Sequence, residues 1–121
     1  MLFLTINTDA SYNEHTKIAG MAYWIVTADP KFRSRTIRKF YGGARHDVQD
    51  VNEAELYAIY EAVTQVNRDG LAGPADMIIF NTDSLTSINY INERGTLSNE
   101  RLLKLARRVR DIIKSWGQSV S

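Results

Sequence analysis

Three carboxylates in this chain fall where an acid can do chemistry. Asp9 closes the run Leu2–Ser11 (LFLTINTDAS), Glu55 lies in Asn52-Glu53-Ala54-Glu55-Leu56, and Asp83 follows Met77-Ile78-Ile79-Phe80 within Asn81-Thr82-Asp83-Ser84. Each has a bland explanation when taken alone. An Asp before small residues starts turns, and a Glu near the start of a helix complements the helix dipole. Taken together at one sheet edge, three acids repel one another unless a cation joins them. Mg²⁺ is the natural choice, because it prefers oxygen ligands and rests on few carboxylates plus a substrate phosphate.

The elements around these acids decide whether they meet. Leu2, Leu4 and Ile6 alternate with Phe3, Thr5 and Asn7, the period-2 pattern of a strand. Apolar bulk on both of its faces suits a central strand. Ile18 to Thr27 (IAGMAYWIVT) is rich in β-branched and aromatic residues and reads as a second strand, with Gly20 marking a bulge or a close backbone approach. Thr36 to Tyr41 alternates as a third strand ending at Gly42-Gly43. Short connections make these three an antiparallel meander.

A helix follows, with Asn52 as its N-cap and Glu53 and Glu55 in its first turn. Leu56, Ile59, Tyr60, Val63 and Val66 give it one apolar face, and Asp69-Gly70 stops it. Met77–Phe80 reads as a buried strand after the crossover, Leu85 to Asn92 as a short helix closed by Arg94-Gly95, and Ser98 to Trp116 as a longer one. Gln118 to Ser121 looks like the start of another strand. The order β-β-β-α-β-α-α makes an α/β mixed sheet with helices packed on it. A right-handed crossover sets the fourth strand parallel to the first, with Asp9 and Asp83 side by side.

Bulk properties narrow the function classes. A chain of 121 residues suits one domain, and 44% hydrophobic with 24% charged residues is an ordinary globular composition. A net charge of +1 makes any basic footprint local. Cysteine is absent, which excludes disulfides and thiolate metal sites. His15 and His46 read as exposed loop residues, too few for a histidine-rich zinc site. No apolar run approaches a membrane span and no signal-peptide pattern is visible, so a cytoplasmic protein without membrane contact is expected. Trp24 and Trp116 read as core residues. The last helix carries Arg101, Lys104, Arg107, Arg108, Arg110 and Lys114. That face could lie on a phosphate backbone, though a solvated helix surface is the plainer explanation.

The segments Thr8-Asp9-Ala10-Ser11, Asn52–Leu56 and Asn81–Ser84 resemble the three successive acidic motifs of the ribonuclease H family, specifically its ribonuclease HI-like members. The resemblance covers nearly the whole chain, in order and with compatible spacing. It implies a ribonuclease H-like fold and a metal-dependent endonuclease that hydrolyses the RNA strand of an RNA–DNA hybrid. By that resemblance Asp9, Glu55 and Asp83 are the catalytic residues and hold two Mg²⁺ (or Mn²⁺) ions. One ion activates the attacking water and the other stabilises the leaving oxygen. Asn52, Ser11 and Ser84 would be substrate contacts, Asn52 reading the minor groove where the 2′-OH marks RNA.

The resemblance also implies a fourth acid on a further C-terminal helix. Its position would fall on Leu103 if Ser98–Trp116 were that helix, so this helix reads instead as the preceding one. Residues 1–121 are then a single domain truncated at its C-terminus. A three-acid site opens an alternative: a catalytically weak or inactive module of the same fold, binding nucleic acid or a protein partner. An incomplete sheet edge would also invite a homodimer or a partner subunit.

Overall fold

The computed structural model describes residues 2–29, 34–94, 99–117 and 119–120. β1 (Phe3–Asn13), β2 (Ile18–Asp29) and β3 (Ser34–Arg45) form the meander. α1 (Val51–Arg68) crosses to β4 (Met77–Asn81), and α2 (Leu85–Ile91), α3 (Glu100–Trp116) and the two-residue β5 (Ser119–Val120) follow. The sheet order is β3-β2-β1-β4-β5, with β1 central. β1 pairs antiparallel with β2 and parallel with β4, and β4 pairs parallel with β5. The mixed sheet and the crossover are those expected. β5 makes the strand that begins near Gln118 real but short, pairing β4 only at Met77 and Ile78.

The first and third strands run longer than their sequences suggested. β1 continues through Asn13, so Asp9 does not end it; pairing with β2 carries the chain past the acid as far as Asn13↔Ile18. Likewise Gly42 and Gly43 continue β3, because they pair with Ala22 and Met21. Gly20 marks a close approach: a Cβ there would lie 2.7 Å from Ser11 Oγ. The register irregularity is elsewhere, between Thr27 and Ala28. Gly95 and Ser98, read as the stop of α2 and the start of α3, lie outside the described residues.

Alternation sorts the sheet into two faces. Leu4, Ile6, Tyr23, Ile25 and Ile78 are buried with Ala62 and Val66 of α1, so this face carries the helical layer. Phe3, Thr5, Asn7 and Asp9 share the opposite face of β1 and are half-buried or exposed. α1 ends in a Schellman motif: Gly70 takes φ +65, its N–H donates to Asn67 O, and Leu71 N–H donates to Val66 O. Leu71 thereby joins the core beside Val66.

α1 starts earlier than its sequence indicated. Its N-cap is Asp50, whose carboxylate accepts from Glu53 N–H at 2.8 Å. Asn52 is therefore the second helical residue, and Glu55 lies in the second turn. Glu53 is only 2% exposed. Its carboxylate takes a two-pronged bond from Arg101 of α3, Nε to Oε2 and Nη2 to Oε1, both at 2.8 Å. Arg101 Nη2 also donates to the carbonyl of Asp47, which stands at φ 59. One guanidinium thus ties the β3–α1 connection, α1 and α3 together, and the carboxylate beside it raises its own pKa further above the ordinary arginine value.

The basic face of α3 is largely committed within the protein. Arg107 and Arg110 both hold Glu93, at 3.1 and 2.8 Å. Arg108 donates to Tyr60 Oη and stacks on that ring. Among the described residues no helix is long and apolar enough to cross a membrane.

Two outcomes follow from this packing. Arg101→Ala strands a buried carboxylate and should cost about 2 kcal/mol in urea unfolding; Glu53→Gln, which keeps acceptor capacity, should cost less. Glu93 is held below the ordinary glutamate pKa by hydrogen bonds from Arg107 and then Arg110. Its stabilising effect is therefore full above the ordinary glutamate range and is lost as pH falls through its lowered folded value. The effect is small because the group is exposed. The difference in melting temperature between wild type and Glu93→Gln should shrink across that acidic window; a constant difference would exclude the linkage.

Candidate active site

The C-terminal end of the β1–β4 pair gathers most of the residues singled out by the sequence. The parallel register runs from Phe3↔Met77 to Asn7↔Asn81, where β4 ends. The amides at this last pair are joined, Asn81 Nδ2 donating to Asn7 Oδ1 at 2.9 Å. Asp9 and Asp83 each lie two residues further on: Asp9 is still within β1, paired with Ala22, and Asp83 is in the connection from β4 to α2. Both are exposed. Asp9 Oδ1 accepts from Ala10 N–H at 2.9 Å, while Thr82 Oγ1 accepts from Ser84 N–H and shapes the turn that presents Asp83.

Glu55 comes from the other layer. α1 packs on the helical face of the sheet, whereas alternation puts Asp9 on the open face. Glu55 is half-buried, next to the fully buried Leu56. The three acids therefore do not close into one cluster: among the described residues, no group of three His, Asp or Glu side chains stands ready to hold a metal ion. The exposed acids at this end of β1 and β4 are Asp9 and Asp83. All-oxygen donors of that kind fit Mg²⁺ or Mn²⁺, and Mg²⁺ is commonly held by one or two carboxylates plus phosphate.

The proposed substrate contacts fare unevenly. Ser84 is 5% exposed and caps α2, accepting from Ser87 N–H and donating to Ser87 Oγ at 2.7 Å. Its hydroxyl faces the helix, so it is a cap and not a surface contact. Ser11 is exposed on β1, close against Gly20. Asn52 is half-buried in the first turn of α1. His15 and His46 are exposed, as expected.

One residue of this region was misread from the sequence. Trp24 was expected in the core but is 39% exposed on β2, whereas Trp116 packs against the core and donates from Nε1 to Asn67 Oδ1. With Asn7, Thr8, Asn81, Thr82 and Asp83, Trp24 lines a shallow depression of about 330 Å³. Parity was the available signal: Tyr23 and Ile25 face the helices, so Trp24 between them faces away. A larger, apolar cavity of about 410 Å³ lies between α1, α2, α3 and Phe80, and holds none of the three acids.

Fold and edge together define a ribonuclease H-like α/β protein. The sequence pattern of the reverse transcriptase-like family matches residues 7–120, and the chain belongs to that family, within the ribonuclease H group. Among curated proteins no sequence matches it. Solved structures share its fold at low identity. RNase H1 of the halophilic archaeon Halobacterium salinarum is 15% identical with a TM-score of 0.66, covering 98% of this chain and 83% of its own. The N-terminal RNase H domain of a Mycobacterium tuberculosis protein is 16% identical at TM-score 0.67, covering 100% and 80%. LC11-RNase H1, solved in complex with an RNA/DNA hybrid, is 16% identical at 0.68, covering 97% and 81%.

The Ser11–Gly20 contact can be read energetically. Gly20→Ala must rotate the Ser11 hydroxyl, a soft adjustment, so the single change should cost under about 1 kcal/mol. Adding Ser11→Ala should recover most of that cost, a coupling measurable by a double-mutant cycle in urea. Strict additivity would mean that the two do not touch.

Proposed function

We propose that this protein is a divalent-metal-dependent nuclease that hydrolyses the RNA strand of RNA–DNA hybrids, working at the C-terminal edge of β1 and β4. One observation supports the reading: Asp9 and Asp83 each follow the Asn7↔Asn81 pair by two residues, and both are exposed. Family membership and the fold shared with an RNase H1 solved on a hybrid support the substrate class. Asp9 and Asp83 would hold Mg²⁺ or Mn²⁺, with Glu55 contributing from α1. Such an ion supplies charge neutralisation to an in-line displacement at phosphorus.

The chain's own residues do the rest. The joined Asn7 and Asn81 amides keep the two strand ends in register, two residues before each acid. The Arg101–Glu53 bond orients the first turns of α1, and with them Asn52 and Glu55. Asn52 and Ser11, at the entrance to α1 and on β1, would meet the hybrid's backbone and minor groove, where a 2′-OH distinguishes RNA.

That no three-carboxylate group stands ready among the described residues favours a second reading, a weakly catalytic or non-catalytic nucleic-acid-binding module. Cleavage of a labelled RNA–DNA hybrid with Mg²⁺ and with Mn²⁺ decides between them. Hybrid-specific cutting, reduced at least about a hundredfold by Asp9→Asn or Asp83→Asn, is the result expected of the nuclease. In parallel, Mn²⁺ at ten times its dissociation constant should stabilise the wild type by about 1.4 kcal/mol in thermal melting, and Asp9→Asn should abolish that gain. No cutting with either metal by folded protein would leave the binding module.

A further inference from the structure

We infer that Val48 and Tyr12 are positioning residues that set Glu55 of α1 against Asp9 of β1. The inference rests on the nuclease reading for the role of those two acids; the packing that suggests it stands apart from that reading. Val48 belongs to the connection from β3 to α1 and is fully buried. Connections usually run over the surface, because a buried one must find partners for its backbone. Val48 finds both in the β1–β2 hairpin. Its N–H donates to Lys17 O at 3.1 Å, and its carbonyl accepts from Tyr12 Oη at 2.6 Å. The hairpin is shaped to meet it: Lys17 takes φ 59, its N–H donates to Asn13 O at 2.9 Å, and Asn13 Oδ1 accepts from the N–H groups of His15 and Thr16.

The side chain of Val48 forms a small core with Ala19 and Ala54, and Ala10, Tyr12 and Tyr57 pack on it. Two of these residues adjoin acids. Ala10 follows Asp9 on β1, and Ala54 precedes Glu55 on α1. Consecutive Cα atoms lie about 3.8 Å apart, so a shift in this core passes to both acids. Alanine has no rotamer with which to absorb such a shift, so the spacing of β1 and α1 here answers to Val48. The connection is anchored on its other sides as well, by Arg101 at the Asp47 carbonyl and by Asp50 at the cap of α1. Tyr12 is the anchor that comes from the strand of Asp9 itself, three residues further on. Outer residues that orient a carboxylate ligand change metal affinity, and Mg²⁺ demands near-ideal geometry of its oxygens.

The test is binding of Mn²⁺ to the full chain, read by electron paramagnetic resonance of the free ion at a temperature where every variant is folded. Tyr12→Phe keeps the ring and removes the hydroxyl, and should weaken Mn²⁺ binding about fivefold. Val48→Ala keeps both backbone bonds and opens the small core. It should weaken binding by a similar factor, and covers the case in which Tyr12→Phe does not fold. In a Glu55→Gln background neither change should alter binding, because the ligand through which they act is gone. Hybrid cleavage by Tyr12→Phe should fall at low Mn²⁺ and recover at saturating Mn²⁺. Trp116→Phe removes the hydrogen bond to Asn67 at the other end of α1. It should lower the melting temperature and leave Mn²⁺ binding unchanged.

Unchanged Mn²⁺ binding in the folded variants would overturn the inference. So would an equal loss in the Glu55→Gln background, or a loss in Trp116→Phe, because the effect would then be a general loosening of the fold. Failure of this inference and failure of the nuclease reading are distinguishable. Mn²⁺ binding and hybrid cutting that are indifferent to Tyr12 and Val48 remove the positioning role alone. Mn²⁺ binding that depends on Tyr12 through Glu55, without cutting, removes the nuclease and keeps the positioning role. A wild type that binds no Mn²⁺ removes both.

Discussion

The parallel pairing of β1 with β4 is held at both ends, and the rest of the molecule depends on it. At the start, Asp76 accepts from Leu2 N–H at 2.7 Å, while the N–H of Asp76 donates back to Leu2 O at 2.9 Å. At the far end the Asn7 and Asn81 amides are joined. Between them Leu4, Ile6 and Ile78 are fully buried against α1. A slip of one residue would turn each of these side chains to the other face and leave polar groups in the core. The register is therefore strongly specified up to Asn7↔Asn81, and core packing fixes it without any attraction between Asp9 and Asp83.

A second constraint acts where α1 begins. Burying Glu53 costs several kcal/mol of desolvation, which a single ion pair does not reliably return. Here the carboxylate meets both prongs of Arg101, and the same guanidinium reaches the Asp47 carbonyl. Asp47 adopts a left-handed backbone that L-residues enter at a cost, one which Asp tolerates better than most. The arrangement fixes geometry more than it adds stability. It joins α3 to two neighbouring segments that lie 48 and 54 residues earlier in the chain, at the very turn whose neighbours are Asn52 and Glu55.

How much of this could be read beforehand varied with the range of the interaction. Element order and the β1–β4 neighbourhood were legible, because hydrophobic periodicity is local and the crossover hand is nearly invariant. The cap of α1 was not: Asp50 and Asn52 are both good N-cap residues, and which one serves is settled by how the chain leaves β3. Continuation of β3 through Gly42-Gly43 depended on its partner strand, which overrides the tendency of glycine to end a strand. Ser84 was legible as a residue near the acids, yet its burial came from packing of α2. The exposure of Trp24 was encoded in the alternation of β2, but the ring's bulk argued for the core.

The division between the two sheet faces bears on how such a site works. One face is closed by helices and supplies rigidity; on the other, among the described residues, Trp24 and Asn81 are exposed and Asn7 is half-buried. The acids stand where β1 outruns β4, so neither face claims them entirely. Glu55 stands on a helix packed on the closed side. A carboxylate so placed is sensitive to the angle at which α1 enters the fold. That angle is set by the Asp50 cap and by the bond of Arg101 to Glu53. The chemistry proposed at the edge would thereby be coupled to α3, an element that contributes none of the three acids, through one buried carboxylate two residues before Glu55.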